Sequence, residues 1–365
     1  MNADVRRRLG SVVNVLLPIM LLEKLGAARW PMPRRQSAIA LGTLLEMRAL
    51  ALLLLSAAAN AATPCTAATA DCTEFVTLGE GPARTMVYRT HPLTVKNEKI
   101  TRALVVIHGT NRDADNYFRS TLAAAFLAGA LDDTELIVPH IASAAGSCKD
   151  PLAPNEVSWN CASWRTGGAS MADDKLTTFD MADDILRQLA RKDAFPNLKV
   201  IVVAGHSAGG QFVNRYEMSN KVHETLGVPV KYVVANPSSY AWIDDTRPAT
   251  VADPCPNYDR WPYGFQSRSG YAGRIGDEDL KKQLASRPTT YLLGEIDILP
   301  LGGFDSSCSA MRQGPSRLAR GQAFGKYVDE QLGARHDIVV VPLCGHNARC
   351  MFTADSALPL LFPKQ

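Results

Sequence analysis

The 365-residue chain has no Cys-x-x-Cys pair, and no Asp/Glu cluster or His pair arranged like metal ligands. That weakens any structural zinc reading. No G-x-G-x-x-G follows a strand-like run, so the fingerprint of a dinucleotide site is missing. Low-complexity tracts, internal repeats and a Ser/Thr/Gly/Pro-rich linker to a second module are also missing, and one domain is the simplest organisation. An excess of basic charge is confined to the first residues. The formal net charge is +3, but residues 1–61 carry eight Lys/Arg against three Asp/Glu. The remainder therefore sits near −2, without the basic footprint of a nucleic-acid partner. The apolar run Ala49–Leu55 is too short to anchor a mature protein across a bilayer.

That run has another reading. "MRALALLLLSAAANAA" begins at Met47 with one basic residue, continues with an apolar core, and ends on Ala59-Asn60-Ala61. This is the layout of a secretory signal peptide cleaved after Ala61. Residues 1–46 are expected to be an upstream extension, with Met47 as the start. The mature domain then spans 62–365 and is exported, periplasmic or extracellular. All eight cysteines fall after the cleavage point, and an even count in an exported chain favours disulfides. Spacing suggests Cys65–Cys72, Cys148–Cys161 and Cys344–Cys350, leaving Cys255–Cys308, although spacing alone does not fix connectivity.

Short β-branched runs alternate with helical patterns. "ALVVIHG", "ELIVPH", "LKVIVVAGHS", "VKYVVANP", "TTYLLGEID" and "DIVVVPL" predict strands buried on both faces of a mainly parallel sheet. "TTFDMADDILRQLARK" and "GGQFVNRYEMSNKV" have apolar residues at helical spacing. The alternation predicts an α/β fold. "TMVYRTHPL" predicts an antiparallel edge strand. Two long connections, one after His140 and one from Ser238 to about Ser286, hold cysteines and tryptophans.

The most specific signal is Gly205-His206-Ser207-Ala208-Gly209, a G-x-S-x-G between a strand and a helical pattern. Such a turn lifts a serine above the sheet at the positive end of a helix. A serine hydroxyl needs a base, and the base needs an orienting acid. Asp297 and His346 each follow a strand, in the chain order Ser, acid, His. Strand carboxyl ends are where open α/β sheets place their sites. Glu295, Asp305, Asp244 and Asp245 are weaker candidates for the acid. The flanking Cys344 and Cys350 leave two readings of His346, a metal clip or a catalytic base in a stapled loop. The first requires both sulfurs and the imidazole to converge on one point; the second requires His346 to face Ser207. Oxyanion donors are expected from the amides of Ala208 and Thr110, with His108 organising the latter's loop. His206 is expected to pack against a loop or the substrate wall. Trp159, Trp164, Tyr240 and Trp242, together with Trp261 and Tyr263, are candidates for gripping an apolar acyl group.

"HGTN", "GHSAGG", "GEID" and "CGHN", in this order across the mature chain, resemble the α/β-hydrolase superfamily. Within it the chain looks most like secreted esterases related to polyhydroxybutyrate depolymerases, which share an HG-x oxyanion loop and the G-x-S-x-G turn. The HGGG signature of one lipase branch is absent. The resemblance implies a twisted, mainly parallel sheet with helices on both faces and a Ser-His-Asp hydrolase working without cofactor. The expected substrate is a small-molecule or oligomeric ester. A peptidase or amidase, a polyester depolymerase, and a non-catalytic binding protein are the alternatives.

Overall fold

The structure is a computed structural model and describes residues 63–364. The leader expected at 47–61, and the extension before it, lie outside the described residues. The strands are β1 (Thr73–Thr77), β2 (Arg84–Arg89), β3 (Arg102–Ile107), β4 (Thr134–Pro139), β5 (Val200–His206), β6 (Val230–Ala235), β7 (Thr289–Gly294) and β8 (Asp337–Val341). They form one sheet in the order β1-β2-β4-β3-β5-β6-β7-β8. The pairs β1–β2 and β2–β4 are antiparallel and all others are parallel.

Helices cover both faces, as parallel strands require. They are α1 (Ala114–Leu127), α2 (Thr178–Leu189), α3 (Ala208–Ser219), α4 (Asp277–Ser286), α5 (Cys308–Met311), α6 (Arg317–Leu332), α7 (Ala348–Thr353) and α8 (Leu358–Leu361). The period-2 alternation of a strand divides the core in two. In β3, Ala103, Val105 and Ile107 point into the cluster that also takes Phe179 of α2, Phe212 of α3 and Phe324 of α6. Leu104 and Val106 point the other way, towards Phe118 of α1 and Met351 and Phe352 of α7. Each fully buried side chain of this size contributes about 1.5–3 kcal/mol. At the start of α2, Thr177 and Asp180 cap each other reciprocally, which fixes where the first long connection ends.

Two expectations change. The strand in "TMVYRTHPL" is antiparallel but lies inside the sheet, because β1 pairs along its outer side. Not every late strand is buried on both faces. β8 is the sheet's other edge and four of its five residues are exposed or half-buried. All eight cysteines are paired, as Cys65–Cys72, Cys148–Cys161, Cys255–Cys308 and Cys344–Cys350.

Candidate active site

β5 runs directly into α3, and Ser207 stands between them with φ +61° and ψ −118°. That conformation is costly for a residue with a side chain, and the surroundings enforce it. The Ser207 amide donates to the Ala235 carbonyl and its carbonyl accepts from the Gln211 amide. The flanking glycines are required by close approach. A Cβ on Gly205 would lie 2.2 Å from the Gly209 carbonyl oxygen, and one on Gly209 would lie 2.0 Å from that of Ile107. No side chain larger than hydrogen fits either position.

Three strand ends deliver three side chains to this point. Asp297 follows β7, and its backbone turns back so that its amide meets the Gly294 carbonyl. His346 follows β8. Its Nε2 is 2.9 Å from Ser207 Oγ and its Nδ1 is 2.7 Å from Asp297 Oδ2. Asp297, at 2 % exposure, can only accept, so the imidazole carries its proton on Nδ1 and offers a lone pair to the serine. Cys344 and Cys350 bond each other on either side of His346, while the imidazole turns away from them to Ser207 and Asp297. Asn347 caps α7 by accepting from the Cys350 amide.

Asp297 has a partner that no motif signals. Arg317, fully buried at the first turn of α6, donates from Nη1 to Asp297 Oδ1 at 3.3 Å. Its Nε reaches Ser238 Oγ and its Nη2 the Gly302 carbonyl, each at 2.8 Å. Asn236, with φ +44°, is a second such residue. It accepts from the Gly294 amide and donates to the Gly345 carbonyl, so it ties the ends of β6 and β7 to the histidine loop.

The other acid candidates are engaged elsewhere. Glu295 accepts from the Leu343 amide, Asp305 from the Tyr263 hydroxyl and Asp244 from the Thr246 amide. Asp245 is exposed and lines a separate hollow with Asp244.

Thr110 and Ser207 line the same open cleft of about 410 Å³, together with Gly302, Gly303 and His346. The Thr110 amide donates no hydrogen bond within the described residues. The Ala208 amide opens α3, where the first N–H groups lack intrahelical acceptors. The Thr110 loop is built on His108, whose buried Nε2 accepts from the Ile141 amide, leaving Nδ1–H to donate to the Gly109 carbonyl. Burial pulls the His108 pKa down to about 3. His206 lines the cleft beside the serine. Its ring lies 4.7 Å from that of His346, centroid to centroid, and its Nδ1 is 3.0 Å from the Tyr117 hydroxyl. Burial, and then the neighbouring His346, hold its pKa well below the usual histidine value. His206 thus stays uncharged beside the His346 ring.

The aromatic candidates need correction. Trp159, Trp164, Tyr240 and Trp242 are at most 1 % exposed, and none borders the cleft. Trp164 packs on His108 beneath the Thr110 loop, Tyr240 stacks on Phe324, and Trp242 on Tyr327. The long connections fold inward and use these large rings as their own core, which hydrophobic burial favours over exposure. Trp261 is half-buried and donates to the Thr166 carbonyl, whereas Tyr263 borders a second hollow.

No protein-family model matches the sequence, and no curated protein matches it. Solved structures do. A poly(3-hydroxybutyrate) depolymerase, LpqC, from Bordetella parapertussis is 23 % identical, with 78 % of this chain and 85 % of that chain covered and a TM-score of 0.54. Poly(aspartic acid) hydrolase-1 from Sphingomonas sp. KT-1 is 22 % identical, covering 80 % and 97 %, with a TM-score of 0.58. Likeness at this level concerns the fold. With the eight-stranded, mainly parallel sheet, it gives the chain the α/β-hydrolase fold.

Proposed function

We propose that the chain is an exported serine hydrolase that cleaves carboxylic esters through an acyl-enzyme. The observation that carries this reading is the continuous hydrogen-bonded line from Ser207 through His346 to Asp297. Ser207 Oγ attacks the ester carbonyl carbon while His346 Nε2 takes its proton. The negative charge that develops on the carbonyl oxygen is met by the Ala208 and Thr110 amides. As the tetrahedral species collapses, the bond to the leaving alkoxide breaks and His346 returns the proton to it. Water then repeats the sequence on the acyl-serine and releases the acid. Asp297 orients the imidazole and stabilises its cation, and Arg317 holds Asp297.

Four disulfides, with no free cysteine among the described residues, support the exported reading, as does the leader-like segment at 47–61. Among the described residues no helix is long and apolar enough to cross a membrane. One observation favours an oligomeric or polymeric ester over a small one. Ile296, Ile298, Leu299 and Leu301 are 50–62 % exposed on the segment that leads into Gly302 and Gly303 of the cleft wall.

The test is turnover of short p-nitrophenyl esters and peptide anilides by residues 62–365, beside Ser207→Ala. Ester cleavage that Ser207→Ala abolishes is expected. Equal turnover by both proteins refutes the mechanism, and faster cleavage of anilides than esters moves the assignment to a peptidase.

A further inference from the structure

Beyond the cleft wall formed by Thr110 and Gly303 lies a second hollow of about 420 Å³, which both residues also line. These residues are close neighbours, since a Cβ on Gly303 would come 3.5 Å from Thr110 Cγ2. The hollow therefore opens from the oxyanion side of Ser207. Its lining is polar and its charge is unbalanced, with Arg165 and Arg215 against the single carboxylate of Asp305.

The two arginines play different parts. Arg215 is fully buried, and its N–H groups meet only neutral acceptors, the carbonyls of Gln211, Ser239 and Pro262 and the Ser239 hydroxyl. It has no carboxylate partner among the described residues. Burial draws its pKa down to about 9, so it remains a cation at neutral pH, fixed in place with no carboxylate in ion-pair contact. A buried charge of this kind is costly unless something of opposite sign approaches it. Arg165 is half-buried on the wall of the same hollow, and its guanidinium makes no hydrogen bond or ion pair with any described residue. Five donors in a planar fork are thus free to meet a carboxylate bidentately. Asp305 cancels only one of the two charges, and its oxygens are already occupied by the Tyr263 hydroxyl and the Ser307 amide.

We infer that this hollow is a substrate subsite for a carboxylate, so that the preferred esters carry a free acid group on the acyl or the alcohol side, gripped by Arg165 over the fixed charge of Arg215. The inference rests on the ester-hydrolase reading for its catalytic half, and on the hollow alone for its binding half.

The experiment compares kcat/KM for matched pairs of esters. Mono-p-nitrophenyl glutarate against p-nitrophenyl valerate places the acid on the acyl side. 4-Carboxyphenyl acetate against 4-carbamoylphenyl acetate places it on the leaving group. A charge-assisted bidentate contact corresponds to about tenfold or more. Arg165→Gln is expected to lower the charged-to-neutral ratio about tenfold in at least one pair. Lys231→Gln removes an exposed charge at the opposite end of β6 and should leave both ratios within about twofold. Unchanged ratios in both pairs for Arg165→Gln, or an equal fall for Lys231→Gln, overturn the inference. Calorimetric binding of glutarate to Ser207→Ala, with and without Arg165→Gln, separates the two readings. Binding about tenfold weaker without Arg165, where the unsubstituted protein turns over no ester, keeps the subsite and overturns the hydrolase. Glutarate binding that does not depend on Arg165, or no binding at all, overturns the subsite whatever the turnover.

Discussion

Replacing Asp297 by asparagine keeps the shape of the side chain and removes its charge, which separates its two duties. The first is to His346. An amide nitrogen facing Nδ1 favours the tautomer with its proton on Nε2, which then cannot accept from Ser207. In a Ser-His-Asp triad that change costs about 10⁴ in kcat, or about 5.5 kcal/mol of transition-state stabilisation. The second duty is to Arg317, which is fully buried and has Asp297 as its ion-pair partner. Removing one member of a buried pair costs about 3–5 kcal/mol of stability. The 3.3 Å contact is long, and Arg317 keeps its bonds to Ser238 and Gly302, so the lower end, about 3 kcal/mol, is expected. Adding Arg317→Met removes the stranded cation. The double variant should be about 2 kcal/mol more stable than the sum of the single changes implies, yet remain inactive. Initial rates on p-nitrophenyl acetate and urea unfolding followed by circular dichroism read the two quantities separately. Glu295→Gln, away from the imidazole, should stay within about threefold of wild type. If Asp297→Asn keeps more than a tenth of wild-type activity, or the double variant is merely additive in stability, the reasoning fails at that step.

Two further outcomes follow from the loops and from burial. Replacing Cys344 and Cys350 by serine should cost about 2 kcal/mol for so short a closed loop and lower kcat about tenfold with the circular dichroism spectrum unchanged, whereas full kcat would show that hydrogen bonds alone hold the base. His108 and His206 are held neutral by burial, so below pH 6.5 the unfolded chain binds protons that the folded one refuses. Stability should therefore fall as pH drops from about 6.5 towards 3, by roughly 1.4 kcal/mol per pH unit for each histidine. Urea midpoints between pH 7.5 and 4.5 for His108→Gln should show a correspondingly shallower slope, and an unaltered slope refutes the assignment.

The residues most readable in advance are those whose role is local. The strand, tight turn and helix around Ser207 announce themselves because backbone crowding there permits only glycine at 205 and 209. Continuous apolar runs mark the central strands because both of their faces are buried. β1, with one buried residue in five, lacks such a run and is legible only from its pairing with β2. The depth of a tryptophan is likewise not local. Trp242 lies in an irregular, polar stretch, yet its ring packs against Tyr327 of α6, far along the chain. Arg317 is the clearest case. Nothing around it in sequence distinguishes it from a surface arginine on a capped helix, and its role exists only once β7, the Ser238 turn and α6 are assembled.

The position of β8 has a mechanical consequence. An edge strand is held on one side only, and its exposed hydrogen bonds are among the first to open in native-state exchange. The proposed base hangs from that strand, and fraying there would ordinarily displace it. Here the chain leaves β8, passes His346 and is bonded at Cys350 within α7, whose Met351 and Phe352 are fully buried in the same cluster as α1. The loop thus inherits its anchorage from the core on its far side. Amide protection should rise across the histidine, from β8 to α7, and the sheet's edge can breathe while the imidazole keeps its place.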